Sequence, residues 1–72
     1  RVLYIEDDRL SAQLVQQFFA ALPDVELQVA TRGAEGVAAA AAWRPDLILL
    51  DMNLPDLHGL EVLRRLRADA GA

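Results

Sequence analysis

Seventy-two residues make one small domain or a piece of one, a length that buries only about 60% of the unfolded surface. At 54% apolar and 25% charged the chain is too apolar for a disordered segment, and no apolar run reaches the roughly 18 residues of a membrane span, so a soluble chain is expected. Seven basic against eleven acidic residues give a net charge of −4 with no lysine, which leaves no electrostatic footprint for nucleic acid, and the absence of cysteine excludes disulfides, thiol nucleophiles and thiolate metal sites.

The chain opens on a short apolar, β-favouring run, Val2-Leu3-Tyr4-Ile5, predicted as a strand over about 2–6 and covered on both faces. It stops abruptly at Glu6-Asp7-Asp8. From there the period becomes helical: Leu10, Leu14, Val15, Phe18, Phe19 and Leu22 predict a helix over about 9–22, with the Phe18-Phe19 and leucine stripes in the core and Pro23-Asp24 closing it. Asp8 suits the N-cap of that helix. Val25, Leu27 and Val29 alternate with Glu26 and Gln28, the pattern of a strand over about 25–30 with one wet face, hence a sheet edge. Thr31-Arg32-Gly33 reads as a turn, with Thr31 as a turn or cap residue. An alanine-rich helix over about 34–43 follows, small enough on its surface to approach a sheet closely, with Trp43 as a packing anchor at its end.

After Arg44-Pro45-Asp46, the run Leu47-Ile48-Leu49-Leu50 predicts a third strand over about 47–51, apolar at every position and so suited to the interior of a sheet. It too stops at a carboxylate, Asp51. A loop with Pro55 leads to a helix over about 57–68 with Leu60, Leu63 and Leu66 inward and a Glu61–Arg65 pair one turn apart. Arg64, Arg65 and Arg67 suit one solvated face of that helix.

Six elements in the order β-α-β-α-β-α, with crossovers this long, demand parallel strands, right-handed connections and helices on both faces. A second strand with the polarity of an edge, against first and third strands that read as buried on both sides, gives the sheet order 2-1-3. Such α/β sheets bind ligands outside the carboxyl ends of their strands, where the winding reverses, and the two strands flanking that point end in Glu6-Asp7-Asp8 and Asp51. Carboxylates converging there repel one another unless a hard cation is bound, and oxygen-only donors point to Mg²⁺, Mn²⁺ or Ca²⁺. Asp51 could then attack phosphorus as a nucleophile. Taken alone, Glu6-Asp7-Asp8 is more often a helix cap than a ligand set and Asp51 an ordinary strand-ending turn residue; their joint placement shifts the balance toward a site.

Three stretches, Val2–Asp8, Arg44–Asp51 and Met52–Gly59, resemble the receiver domain of two-component response regulators. Pro55 follows Asp51 by four residues and Gly59 by eight, while Asp51 follows Asp7 by 44, all as in that family. The resemblance implies a flavodoxin-like doubly wound sheet, of order 2-1-3-4-5 when whole, so that residues 1–72 correspond to an N-terminal portion. It implies a phosphoacceptor module that takes a phosphoryl group on Asp51 from a sensor histidine kinase or phosphotransfer protein. Such a module catalyses at most its own phosphorylation and dephosphorylation and is not a turnover enzyme.

By the same resemblance Mg²⁺ (or Mn²⁺) is held by Asp7, Asp51 and the backbone carbonyl of Asn53, with Glu6 acting through water. Asp8 is then left to cap, and Pro55 and Gly59 shape the loop. Leu10, Ser11 and Leu14 lie on the helix that family members use to meet their kinase, whereas His58 reads as a surface residue. A cytoplasmic location follows, with no membrane partner. The third strand would be left with an open edge, a hazard, so a receiver dimer or edge-strand pairing is a further expectation. A pseudo-receiver scaffold that is never phosphorylated is the alternative. A phosphatase of the haloacid-dehalogenase type is disfavoured, because Asn53 stands where its acid would be.

Overall fold

The computed structural model describes residues 1–70, and the side chains of residues 1–68. Its elements are β1 (Val2–Ile5), α1 (Arg9–Ala20), β2 (Leu27–Ala30), α2 (Gly33–Trp43), β3 (Leu47–Leu50) and α3 (Gly59–Ala70). All three strands are parallel and the sheet order is β2-β1-β3, as the polarity of the strands implied. Gln28 of β2 is exposed at the sheet edge, whereas Leu3 and Ile5 of β1 are buried in its centre. β3 pairs with β1 on one side only among the described residues, and Leu47 is half open to solvent.

The core is a small cluster of Leu3, Ile5, Ala30, Leu54 and Val62, flanked by Val37, Ala40, Trp43, Ile48 and Leu66. It lies between the sheet and the α2–α3 pair. Here alanine and glycine let α2 sit close: a methyl added at Gly36 would come within 2.5 Å of Ile5 Cδ1. Trp43 packs on this cluster, with the Arg1 guanidinium 5.5 Å from its ring centroid and donating to its carbonyl.

Several expectations need correction. α1 ends at Ala20, two residues early, because Ala21 and Leu22 turn their N–H groups onto the Phe18 and Phe19 carbonyls. β2 begins at Leu27, not Val25, although the Glu26 carbonyl already accepts from Val2. α2 begins one residue earlier than predicted, and α3 covers Gly59–Ala70 instead of 57–68.

Two apolar stripes also lie differently. Leu10, Leu14 and Phe18, expected in the core, are 64%, 59% and 66% exposed; the inward side of α1 is carried by Ala12, Val15 and Phe19. Phe18 meets Phe19 edge to face at 5.3 Å. Leu60, expected inward, is 62% exposed, because Val62 is fully buried and two residues on a helix stand about 200° apart. Leu63 and Leu66 are partly buried, as expected.

Candidate functional site

The carboxyl ends of β1 and β3 bring their acids together because the strand ladder runs one residue beyond each strand. The Glu6 amide donates to the Ala30 carbonyl at 2.9 Å and the Asp51 amide to the Ile5 carbonyl at 2.9 Å. Continuing the Ile5↔Leu50 register by one step sets Glu6 beside Asp51. Carboxylate oxygens of Glu6, Asp7 and Asp51 all lie within 4.8 Å of one another, Asp7 exposed and the other two half-buried.

Each acid is oriented differently. Tyr4 and Glu6, two residues apart on a strand, share a face. The Tyr4 hydroxyl donates to Glu6 Oε1 at 3.1 Å, and the Asp8 amide donates to Oε2 at 3.2 Å. Burial raises the Tyr4 phenol above its usual value of 10.0, helped by the hydrogen bond to Glu6 and then by the charges of Glu6, Asp51 and Asp8. Asp8 itself turns away to cap α1, its Oδ2 accepting from the Ser11 amide at 3.0 Å and from the Ser11 hydroxyl. Those hydrogen bonds, the hydroxyl's foremost, hold its carboxyl below the usual 3.8. So the acids facing each other are Glu6 and Asp7, not Asp7 and Asp8.

Asp51 Oδ1 accepts from the Asn53 amide at 3.2 Å, while the Asn53 carbonyl takes part in none of the loop's hydrogen bonds among the described residues. The loop then turns back so that Asn53 and His58 form an antiparallel bridge and the Gly59 amide reaches the Met52 carbonyl. A side chain at Gly59 would strike Met52, within 2.6 Å of its Cα, so only glycine lets the loop close here. His58 is exposed, and its Nδ1 accepts from the Leu60 amide at 3.2 Å, so it caps α3. The donor set is wholly carboxylate and carbonyl oxygen, which suits a hard divalent cation. Three carboxylates this close also repel each other, a cost that such a cation relieves.

This arrangement has close counterparts. The family model of the response regulator receiver domain matches residues 2–72. The chain belongs to that family. It is 43% identical over 67 residues to the cell cycle transcriptional regulator CtrA of Caulobacter vibrioides, covering 93% of this chain and 29% of that protein. It is 39% identical over 67 residues to the nitrate/nitrite response regulator protein NarL of Escherichia coli K12, covering 92% of this chain and 31% of that one.

Among solved structures, the response regulator domain of Thermotoga maritima CheB superposes with a TM-score of 0.90 at 30% identity, covering 97% of this chain and 53% of that one. The signal receiver domain of a modulated diguanylate cyclase from Desulfovibrio desulfuricans G20 gives 0.81 at 36% identity, covering 93% and 54%. The receiver segment thus spans about half the length of these solved domains and under a third of the curated relatives. The family's modules serve signalling rather than turnover, and the fold is the flavodoxin-like sheet that the strand order implied.

In this receiver, Trp43 stands beside Arg1, at the opposite end of the strands from the acids and about 16 Å away by strand rise. It is no direct reporter of the acidic cluster. No helix among the described residues is long and apolar enough to cross a membrane. Arg64 and Arg65 both pair with Glu61, at 2.6 and 2.9 Å, which accounts for two of the three clustered arginines.

Sequence reasoning passed over Asp56. Its carboxylate accepts from the Gly33 amide at 2.7 Å and the Ala34 amide at 3.0 Å, capping α2 from another part of the chain. These bonds, Ala34's first, hold its carboxyl below the usual 3.8. The one signal was negative: Arg32, at the N-cap position, makes no side-chain cap bond.

Proposed function

We propose that this receiver accepts a phosphoryl group on Asp51, delivered by a sensor histidine kinase or a phosphotransfer protein. The convergence of the Glu6, Asp7 and Asp51 carboxylates within 4.8 Å carries the reading. Mg²⁺ (or Mn²⁺) held by Asp7, Asp51 and the Asn53 carbonyl, with Glu6 reaching it through water, would supply positive charge for the phosphoryl oxygens.

The remaining chemistry belongs to the chain. One carboxylate oxygen of Asp51 attacks phosphorus, the bond from phosphorus to the donor breaks, and the electron pair leaves with the donor, giving an acyl phosphate. The Asn53 amide holds Asp51 Oδ1, so the aspartate keeps one orientation as the group arrives. Tyr4 and the Asp8 amide fix the Glu6 carboxylate beside it. Phosphorylation then biases a two-state equilibrium elsewhere in the intact protein and changes what it binds. Transfer to water or back to a partner resets the module, which is not a turnover enzyme.

The test uses the full-length protein with Mg²⁺ and a small acyl-phosphate donor, the adduct being mapped by mass spectrometry. A single adduct on Asp51, absent from Asp51→Asn and from samples treated with chelator, is the expected result. An adduct that survives Asp51→Asn would refute the assignment. No adduct together with no Mg²⁺ binding would favour the unphosphorylated scaffold.

A further inference from the structure

The loop that carries Asn53 is held at four places. Its start is tied by the Asp51 amide to β1, and its end by the Gly59 amide to the Met52 carbonyl. Between them Leu54 is buried in the core, and Asp56 reaches across to the first two amides of α2. The seat there is tight. A methyl at Gly33 would come within 2.8 Å of Val62 Cγ2 and 3.0 Å of Leu57 Cβ, so the start of α2 rests directly on the loop and on α3.

Helix starts leave amides without partners, and a local Ser, Thr, Asp or Asn normally satisfies them. Here the local position is Arg32, which cannot, and the acceptor comes from 22 and 23 residues further along the chain. Two bonds made from one planar carboxylate fix both its position and its rotation. Three residues before Asp56 stands Asn53, and the intervening Pro55 removes one of the few torsions by which the two could move apart.

We infer that Asp56 is a positioning residue: by latching its loop to the N-terminus of α2 it sets where the Asn53 carbonyl lies beside Asp51, and so how well the acidic cluster receives a divalent cation. This rests on the reading above that the cluster takes Mg²⁺. Leu54 anchors the loop independently, so loss of the latch weakens the site without abolishing it. The same latch links the metal-facing loop to α2, whose start follows directly from β2.

The experiment measures the Mg²⁺ dissociation constant of the full-length protein by titration calorimetry, together with the rate of Asp51 phosphorylation by a small acyl phosphate. Asp56→Ala is expected to weaken Mg²⁺ roughly tenfold, the low end for groups that support a metal site from behind its ligands. Asp56→Asn keeps one acceptor oxygen for one of the two amides and should fall between Asp56→Ala and the natural protein. Val2→Ala removes a buried side chain at the other end of β1 and serves as the control for stability alone. It should leave Mg²⁺ affinity unchanged at a temperature where every variant is folded.

Mg²⁺ affinity in Asp56→Ala equal to the natural protein's overturns the inference and leaves the phosphoacceptor reading standing. An equal loss in Val2→Ala also overturns it, since the effect would then be general loosening. Absence of Mg²⁺ binding in the natural protein removes both.

Discussion

The two faces of the sheet are covered in opposite ways. On one, α2 is built from glycine and alanine, is nearly featureless in sequence, and sits so close that Gly36 touches the Ile5 side chain. On the other, α1 carries large apolar residues and turns three of them, Leu10, Leu14 and Phe18, toward solvent. Size and hydropathy therefore do not by themselves tell which helix makes the tight contact. What α2 lacks in side-chain bulk it offsets in approach, since dispersion and exclusion of water depend on contact distance.

The sharpest way to break that contrast is Gly36→Val. A branched side chain has no room against Ile5, and a loss of about 3 kcal/mol in the full-length protein is expected, read from the urea midpoint. Adding Ile5→Ala to Gly36→Val should cost less than the two single changes summed, because the second change vacates the space that the first one needs. On the other face, Leu14→Gln replaces an exposed side chain and should change stability by about 0.5 kcal/mol or less in the same assay. A large loss there would mean that another part of the protein covers this stripe.

The smallest effect belongs to neither face but to the rim of α3. Hydrogen bonds from Arg64 and then Arg65 lower the Glu61 carboxyl from 4.5 to about 2. A carboxyl depressed in the folded state contributes stability that is full above its unfolded value and lost as pH falls through its folded one. The contribution should fade between about pH 4.5 and pH 2. It is small, since solvent reaches the pair. Carbon-detected NMR titration of the Glu61 carboxyl checks the midpoint, and a value near 4.5 would show that the arginines do not hold it.

Much of this was legible in the chain itself. The change from apolar runs to helical spacing marks each element, and the wet face of β2 against the dry faces of β1 gives the strand order. Glu6, Asp7 and Asp51 stand out because each ends an apolar strand, and parallel strands align such ends. The inward face of α1 was harder to see. Ala12, Val15 and Phe19 form one stripe and Leu10, Leu14 and Phe18 another, both at helical spacing, so periodicity alone cannot choose between them. On α3 the leucines suggest the wrong stripe for Leu60, because Val62 is the residue that enters the core.

Local order along the chain determined the elements, their parallel pairing and the acids at the strand ends, because apolar period and turn chemistry act over a few residues. Tertiary packing alone decided which side of α1 faces in and that Asp56 closes the start of α2. Those outcomes join groups whose sequence separation carries no signal. They are fixed only when burial leaves a backbone amide or a carboxylate to find whichever partner the fold has brought within reach.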